Sequence, residues 1–228
     1  MKLVFYGGGF EEDNIDLDLE AIRLSGKRRP KVAYIPSCSY GLEADFKAFS
    51  DHYRSLGVRR IMYFPVDVPF DSILEEEILS SDIIHLSGGN TFYFLNNLRK
   101  KKWIAKLRNF ASTGGVLTGL SAGGILMTPD IKTASYPEFD CDDNEDRIRN
   151  FNALGLVPFE FFPHFRNSKR YSDTLIEESR KIKDRSLYAS PDGSGLVVED
   201  HRVRFVGRNY LFVNGKKHLI REQSRLIQ

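Results

Sequence analysis

The chain has 228 residues, 41% of them hydrophobic, with 33 Lys and Arg against 31 Asp and Glu for a formal net charge of +2. That length can bury a core without staples, and the near-balance of scattered charge argues against a surface built to hold nucleic-acid phosphates. Two cysteines, Cys38 and Cys141, cannot build a disulfide framework or a four-cysteine zinc site and read as free thiols.

The predicted elements alternate through the first half. Leu3-Val4-Phe5-Tyr6 is a short apolar run ended by Gly7-Gly8-Gly9, which predicts a buried strand. A helix is expected over 16–25, then a strand over 32–35 stopped by Pro36. Phe46, Phe49, Tyr53 and Leu56 recur at helical spacing over 43–56, and a strand follows over 60–64. A short helix is expected over 72–79 and a strand over 83–86, stopped by Gly88-Gly89. The pattern over 91–113 is helical with a break near Lys100-Lys101-Lys102, and the strand over 116–120 runs directly into Ser121.

Strands alternating with helices imply βαβ units and a mostly parallel sheet with helices on both faces. The fold class is therefore α/β, in three αβα layers. Ligands of such sheets sit beyond the carboxyl ends of the strands, so Gly7-Gly8-Gly9, Ser37, Gly88-Gly89-Asn90 and Ser121 are expected along one edge. The second half differs. Residues 129–163 show little periodicity and carry an acidic run from Asp140 to Asp146, read as a solvated loop. A helix is expected over 169–183, followed by short strands over 196–198, 203–206, 210–213 and 219–220, with Asn214-Gly215 as a hairpin turn. Without repeats or a flexible linker, a single domain over 1–228 is expected. The first apolar stretch is too short for a signal-peptide core and none is long enough to span a membrane, so a cytoplasmic protein with no membrane contact is expected.

Chemistry concentrates in Gly119-Leu120-Ser121-Ala122-Gly123, a G-x-S-x-G pattern between a strand and a glycine-rich helix start. A sharp turn there lifts the Ser121 hydroxyl above the sheet edge, and the Ala122 amide points where an oxyanion would form. A serine nucleophile needs a base. Of the five histidines, His52 reads as surface, His85 as core, and His201 and His218 as turn and C-terminal positions. His164 follows Phe161-Phe162-Pro163 at the end of a strand-like run, where site residues belong. The base should be oriented by an acid, and Asp192 and Glu138 are both candidates. Gly89 could supply a second oxyanion amide, with Asn90 as the cap of the next helix.

Other patterns fall short. Glu12 breaks a G-x-G-x-x-G, no glycine loop ends in Gly-Lys-Ser or Gly-Lys-Thr, and the acidic run has Glu145 and Phe151 where a calcium loop needs glycine and glutamate. The basic cluster Arg99-Lys100-Lys101-Lys102 reads as a solvated helix end.

Together these residues resemble the peptidase E family of serine peptidases, which includes aspartyl dipeptidases and is related to cyanophycinase. The likeness rests on Gly88-Gly89-Asn90-Thr91-Phe92, Gly119-Leu120-Ser121-Ala122-Gly123, Pro129-Asp130-Ile131-Lys132-Thr133, Pro163-His164-Phe165 and Pro191-Asp192-Gly193. It implies a fold similar to class I glutamine amidotransferases, of flavodoxin-like type with C-terminal β-hairpins. It implies Ser121 as nucleophile, His164 as base and the amides of Gly89 and Ala122 as oxyanion hole. The implied activity is hydrolysis of short peptides with an N-terminal aspartate, or of related aspartyl peptides. No metal or organic cofactor and no nucleic-acid partner are expected, and the protein is expected to be a monomer or homodimer. Asn90 and Lys132 are the candidates for holding substrate. Aspartyl dipeptidases carry a triad aspartate 15 residues past the nucleophile, where this chain has Tyr136, so Asp192 and Glu138 remain the alternatives. Tyr136 also motivates a second reading, a non-catalytic small-molecule binder on the same scaffold.

Overall fold

The structure, a computed structural model, describes residues 1–40, 43–182, 185–220 and 225–226. Its strands are β1 (Lys2–Tyr6), β2 (Lys31–Ile35), β3 (Arg60–Tyr63), β4 (Ile83–Leu86), β5 (Val116–Leu120), β6 (Glu160–Phe162), β7 (Leu187–Ala189), β8 (Gly195–Glu199), β9 (Arg202–Val206), β10 (Asn209–Val213), β11 (Lys216–Ile220) and β12 (Arg225–Leu226). Its α-helices are α1 (Ile15–Ser25), α2 (Glu43–Ser55), α3 (Ser72–Leu79), α4 (Thr91–Lys100), α5 (Trp103–Ser112), α6 (Ala122–Leu126) and α7 (Lys169–Lys181).

Eight strands form one sheet in the order β12-β9-β8-β1-β5-β4-β2-β3, and β11-β10-β7-β6 form a second. From β1 through β5, β4 and β2 to β3 all pairings are parallel, while β8 and β9 add an antiparallel hairpin on the other side of β1. The alternation of apolar side chains sends Leu3 and Phe5 to one core and Val4 and Tyr6 to the other. Both cores are covered by helices: α1 and α2 pack on the Val4 side, and α3, α4 and α5 on the Phe5 side. Burial on both faces is why these strands read as continuous apolar runs. The α/β class and the mostly parallel sheet are as expected.

The helical pattern over 91–113 is two helices. Lys102 adopts φ 61, and the amides of Lys101 and Lys102 close onto Asn97 and Arg99, ending α4 before α5 begins. Arg99 departs from the solvated reading of its cluster, because its guanidinium donates to the carbonyls of Asn150 and Asn152 at 2.5 Å each. It thereby pins the irregular segment to α4.

The second sheet is the larger departure. β6 and β7 have three residues each, too short to announce themselves by period, and they pair in parallel with Phe162 opposite Ala189. One side of this sheet adds Phe161, Tyr188 and Leu211 to the Phe5 core; the other packs Phe162, Leu187 and Phe212 against α7. Asn214 and Gly215, both at positive φ, make the expected turn between β10 and β11. The expected helix position Lys183 lies outside the described residues. Among the described residues no helix is long and apolar enough to cross a membrane.

Candidate active site

Ser121 stands between β5 and α6 with φ 50 and ψ −109, a conformation a non-glycine residue holds only when its surroundings enforce it. Its amide donates to the Tyr6 carbonyl at 3.2 Å, and its carbonyl accepts from Ile125 at 3.0 Å. The flanking glycines make the turn possible. A Cβ on Gly119 would lie 2.3 Å from the Gly123 carbonyl carbon, and one on Gly123 would lie 2.2 Å from the Leu86 oxygen. Any larger residue at either place would drive α6 away from the sheet.

His164 follows β6, also at positive φ (51). Its backbone amide donates to the Gly7 carbonyl at 2.5 Å, just beyond the end of β1. Its Nε2 lies 2.9 Å from Ser121 Oγ and its Nδ1 lies 2.7 Å from Asp192 Oδ1. The carboxylate that meets the His164 ring is thus that of Asp192, in the loop between β7 and β8. The Gly193 amide donates to Gly8 at 3.0 Å, and the Gly7 amide donates to Ser194 at 2.8 Å. Gly7 and Gly8 therefore form a strap that touches both the His164 loop and the Asp192 loop. A Cβ on Gly8 would sit 2.1 Å from Asp192 Oδ1 and 2.3 Å from the His164 ring, so no side chain fits there.

These groups border a cavity of about 480 Å³ whose lining includes Gly89, Ser121, Tyr136, His164, Arg166 and Asp192. Ala122 opens α6, and a first-turn amide has no acceptor within its own helix. Tyr136 is not part of the serine–histidine–acid chain. Its ring stacks on Phe162 with centroids 6.1 Å apart, and burial pushes its phenol well above the ordinary tyrosine range.

Four expectations need correction. Glu138 is exposed and absent from the cavity wall. Lys132 also stands outside it, its Nζ 3.5 Å from Asp130 Oδ2. Asn90 is occupied as a cap: its Oδ1 accepts from the Tyr93 amide at 2.9 Å and its Nδ2 donates to the Asp143 carbonyl, and it lines a neighbouring groove instead. His52 is not a free surface residue, because its Nε2 meets buried Asp18 at 3.0 Å and that pairing raises its pKa. Asp18 also accepts from Tyr6 and Tyr53. The core reading of His85 holds: it bonds Thr118 at 2.8 Å, and burial pushes its pKa down to about 3.

The sequence reading also passed over residues that matter. Asp140, Asp142 and Arg166 line the cavity. Asp142 accepts from the Thr91 amide at 2.8 Å and Asp140 from the Tyr171 hydroxyl at 2.5 Å, so the acidic run is anchored and not a free solvated loop. The signal was present in Asp140-Cys141-Asp142, but nothing local revealed which elements those carboxylates would meet. Glu160, on β6, is buried with Arg185 Nη1 2.5 Å from its Oε1, and burial pushes its pKa up to about 7. Among the described residues no group of three or more His, Cys, Asp or Glu is placed to hold a metal ion.

The sequence pattern of peptidase family S51 matches residues 3–206. The chain belongs to peptidase family S51. It is a serine-type peptidase. Among curated relatives it is 37% identical over 208 residues to peptidase E of Salmonella arizonae, covering 86% of this chain and 84% of that one. It is 27% identical over 210 residues to peptidase E of a Nostoc species, covering 84% and 79%. A solved peptidase E structure from Listeria monocytogenes superposes with a TM-score of 0.69 at 21% identity, covering 90% of this chain and 96% of that one. A peptidase structure from an acI-B1 actinobacterium gives 0.69 at 18% identity, covering 99% and 94%. These two likenesses carry the fold.

Proposed function

We propose that this S51 peptidase hydrolyses short peptides through an acyl-enzyme formed on Ser121. The reading rests on one observation, the continuous hydrogen-bonded chain from Ser121 Oγ through His164 to Asp192 at 2.9 and 2.7 Å. Ser121 Oγ attacks the scissile carbonyl while His164 Nε2 takes its proton and then delivers it to the leaving amine. Asp192 holds the imidazole so that Nε2 faces the serine, and it stabilises the imidazolium that forms. Water attacks the acyl-enzyme by the same route in reverse. The amides of Ala122 and Gly89 are assigned to the tetrahedral oxyanion; one such donor contributes about 10²–10³ in rate.

A cavity of about 480 Å³ suits a peptide of few residues rather than a folded chain. With Lys132 outside that cavity, the aspartyl preference implied by resemblance loses its proposed partner. Free Cys38 and Cys141 suit a reducing, cytoplasmic compartment.

The test is Ser121→Ala assayed against a panel of dipeptides, with circular dichroism to check the fold. The expected result is loss of turnover with an unchanged spectrum. Retention of the wild-type rate would refute the assignment.

A further inference from the structure

We propose that Tyr6, anchored by the buried carboxylate of Asp18, is a positioning residue for the chain from Ser121 through His164 to Asp192. The inference rests on the peptidase reading above and adds side chains that act on those three residues from outside the cavity.

Backbone connectivity is the first observation. The segment from Tyr6 to Gly8 is bonded to all three parts of that chain. The Tyr6 carbonyl accepts from the Ser121 amide at 3.2 Å, and the Gly7 carbonyl from the His164 amide at 2.5 Å. The Gly8 carbonyl accepts from the amide of Gly193, beside Asp192, at 3.0 Å. A shift of this segment therefore moves all three groups. Gly7, Gly8 and Gly9 carry no side chain that could hold it. Phe10, the first side chain after them, is 77% exposed. Tyr6, the last before them, is buried in the Val4 core.

The second observation is what the Tyr6 side chain meets there. Its hydroxyl donates to Asp18 Oδ1 at 2.8 Å, and Asp18, on α1, is 3% exposed. The Tyr53 hydroxyl donates to the same oxygen at 2.7 Å, and His52 Nε2 lies 3.0 Å from Asp18 Oδ2, both from α2. Burial holds both phenols well above the ordinary tyrosine range, so both remain donors. A carboxylate acceptor makes the stronger class of hydrogen bond. The Tyr6 ring also packs edge-on against His85, centroids 5.7 Å apart, and His85 bonds Thr118 on the strand that leads to Ser121. Two helices and a neighbouring strand thus fix the end of β1, and with it the strap. Small misplacements of reacting groups are costly in rate, about 10²-fold for 1 Å. Tyr53 is the matched comparison. It gives Asp18 an equivalent bond, yet among the described residues no backbone hydrogen bond joins it to the strap.

The experiment compares Tyr6→Phe with Tyr53→Phe, each of which takes one hydroxyl from Asp18. Steady-state kinetics use the dipeptide that the wild type cleaves fastest. Tyr6→Phe is expected to lower kcat by about tenfold or more with KM within about twofold of wild type. Tyr53→Phe is expected to lose a similar amount of melting temperature and to keep kcat within about twofold. Wild-type kcat in Tyr6→Phe would overturn the inference, as would an equal loss in both variants or a loss confined to KM. If either variant does not fold, Asp18→Asn takes its place. Its amide oxygen is a weaker acceptor, so kcat should fall severalfold at unchanged KM, and an unchanged kcat would overturn the inference. The peptidase reading is judged separately by Ser121→Ala. Turnover retained there sinks that reading, whereas wild-type kcat in Tyr6→Phe beside an inactive Ser121→Ala sinks only the positioning.

Discussion

The parallel half of the large sheet and the small four-stranded sheet both reach the cavity, but they hold their residues by different means. Ser121 comes from the parallel half, where closely packed backbones enforce its positive φ: Gly119 lies against Gly123, and Gly123 against Leu86. His164 and Asp192 follow strands of the small sheet, β6 and β7, and hydrogen bonds of His164, and of Gly193 and Ser194 beside Asp192, tie their loops to the Gly7-Gly8 strap beyond β1. Ser121 is thus positioned by exclusion, and His164 and Asp192 by a clamp. Damage to the first region should cost stability as well as rate. Damage to the second should cost mainly rate.

The largest expected effect is in the clamp. His164→Ala is predicted to lower kcat by about 10⁴-fold or more, and Asp192→Asn by about 10²–10⁴-fold, both with little change in melting temperature. Steady-state kinetics with calorimetric melting would decide it; a near-normal kcat in His164→Ala would break the comparison. Gly8→Ala comes next, because its methyl cannot coexist with the observed positions of His164 and Asp192. A loss of about 10²-fold or more in kcat is expected, since small misplacements of catalytic groups are this costly. Wild-type kinetics in that variant would show that the strap does not set the geometry.

In the parallel half, Gly119→Ala should instead destabilise by about 2–4 kcal/mol, through backbone overlap and strain at the turn. Urea denaturation measures this, and a variant as stable as wild type would contradict the steric account.

The smallest effect concerns pH. Burial raises the folded-state pKa of Glu160 to about 7, above its value of 4.5 in the unfolded chain. Its contribution to stability is therefore full below about pH 4.5 and is lost as pH rises through about 7. His85 works the other way: its pKa is depressed to about 3, so its contribution is held above about 6.5 and lost as pH falls through about 3. Because the two oppose each other, Glu160 is isolated by difference. Glu160→Gln should gain on wild type, by about 1–3 kcal/mol, as pH rises from 5 to 7.5. Parallel melting curves for the two proteins across that range would show no such linkage.

Legibility in the sequence follows the same division. Leu3-Val4-Phe5-Tyr6 and Gly119-Leu120-Ser121-Ala122-Gly123 carry their structure in adjacent residues, so the strand, the elbow and the sheet edge could all be read. His164 stands out in the sequence because Pro163 ends an apolar run. Asp192 could be narrowed only to a pair with Glu138, because the choice depends on β6 lying beside β7, a pairing between distant three-residue strands. Lys132 and Asn90 looked available in sequence, and each is taken by a neighbour, Asp130 and the Tyr93 amide. Arg166, Asp140 and Asp142 gained meaning only when the chain folded round one cavity.

The most direct measurement is active-site labelling with a fluorophosphonate, located by peptide mass spectrometry in wild type and in His164→Ala. The account predicts one adduct per chain on Ser121 in the wild type and its loss in the variant. An adduct on another residue, or equal labelling of Ser121 without His164, would contradict a serine from one region activated by a histidine from the other.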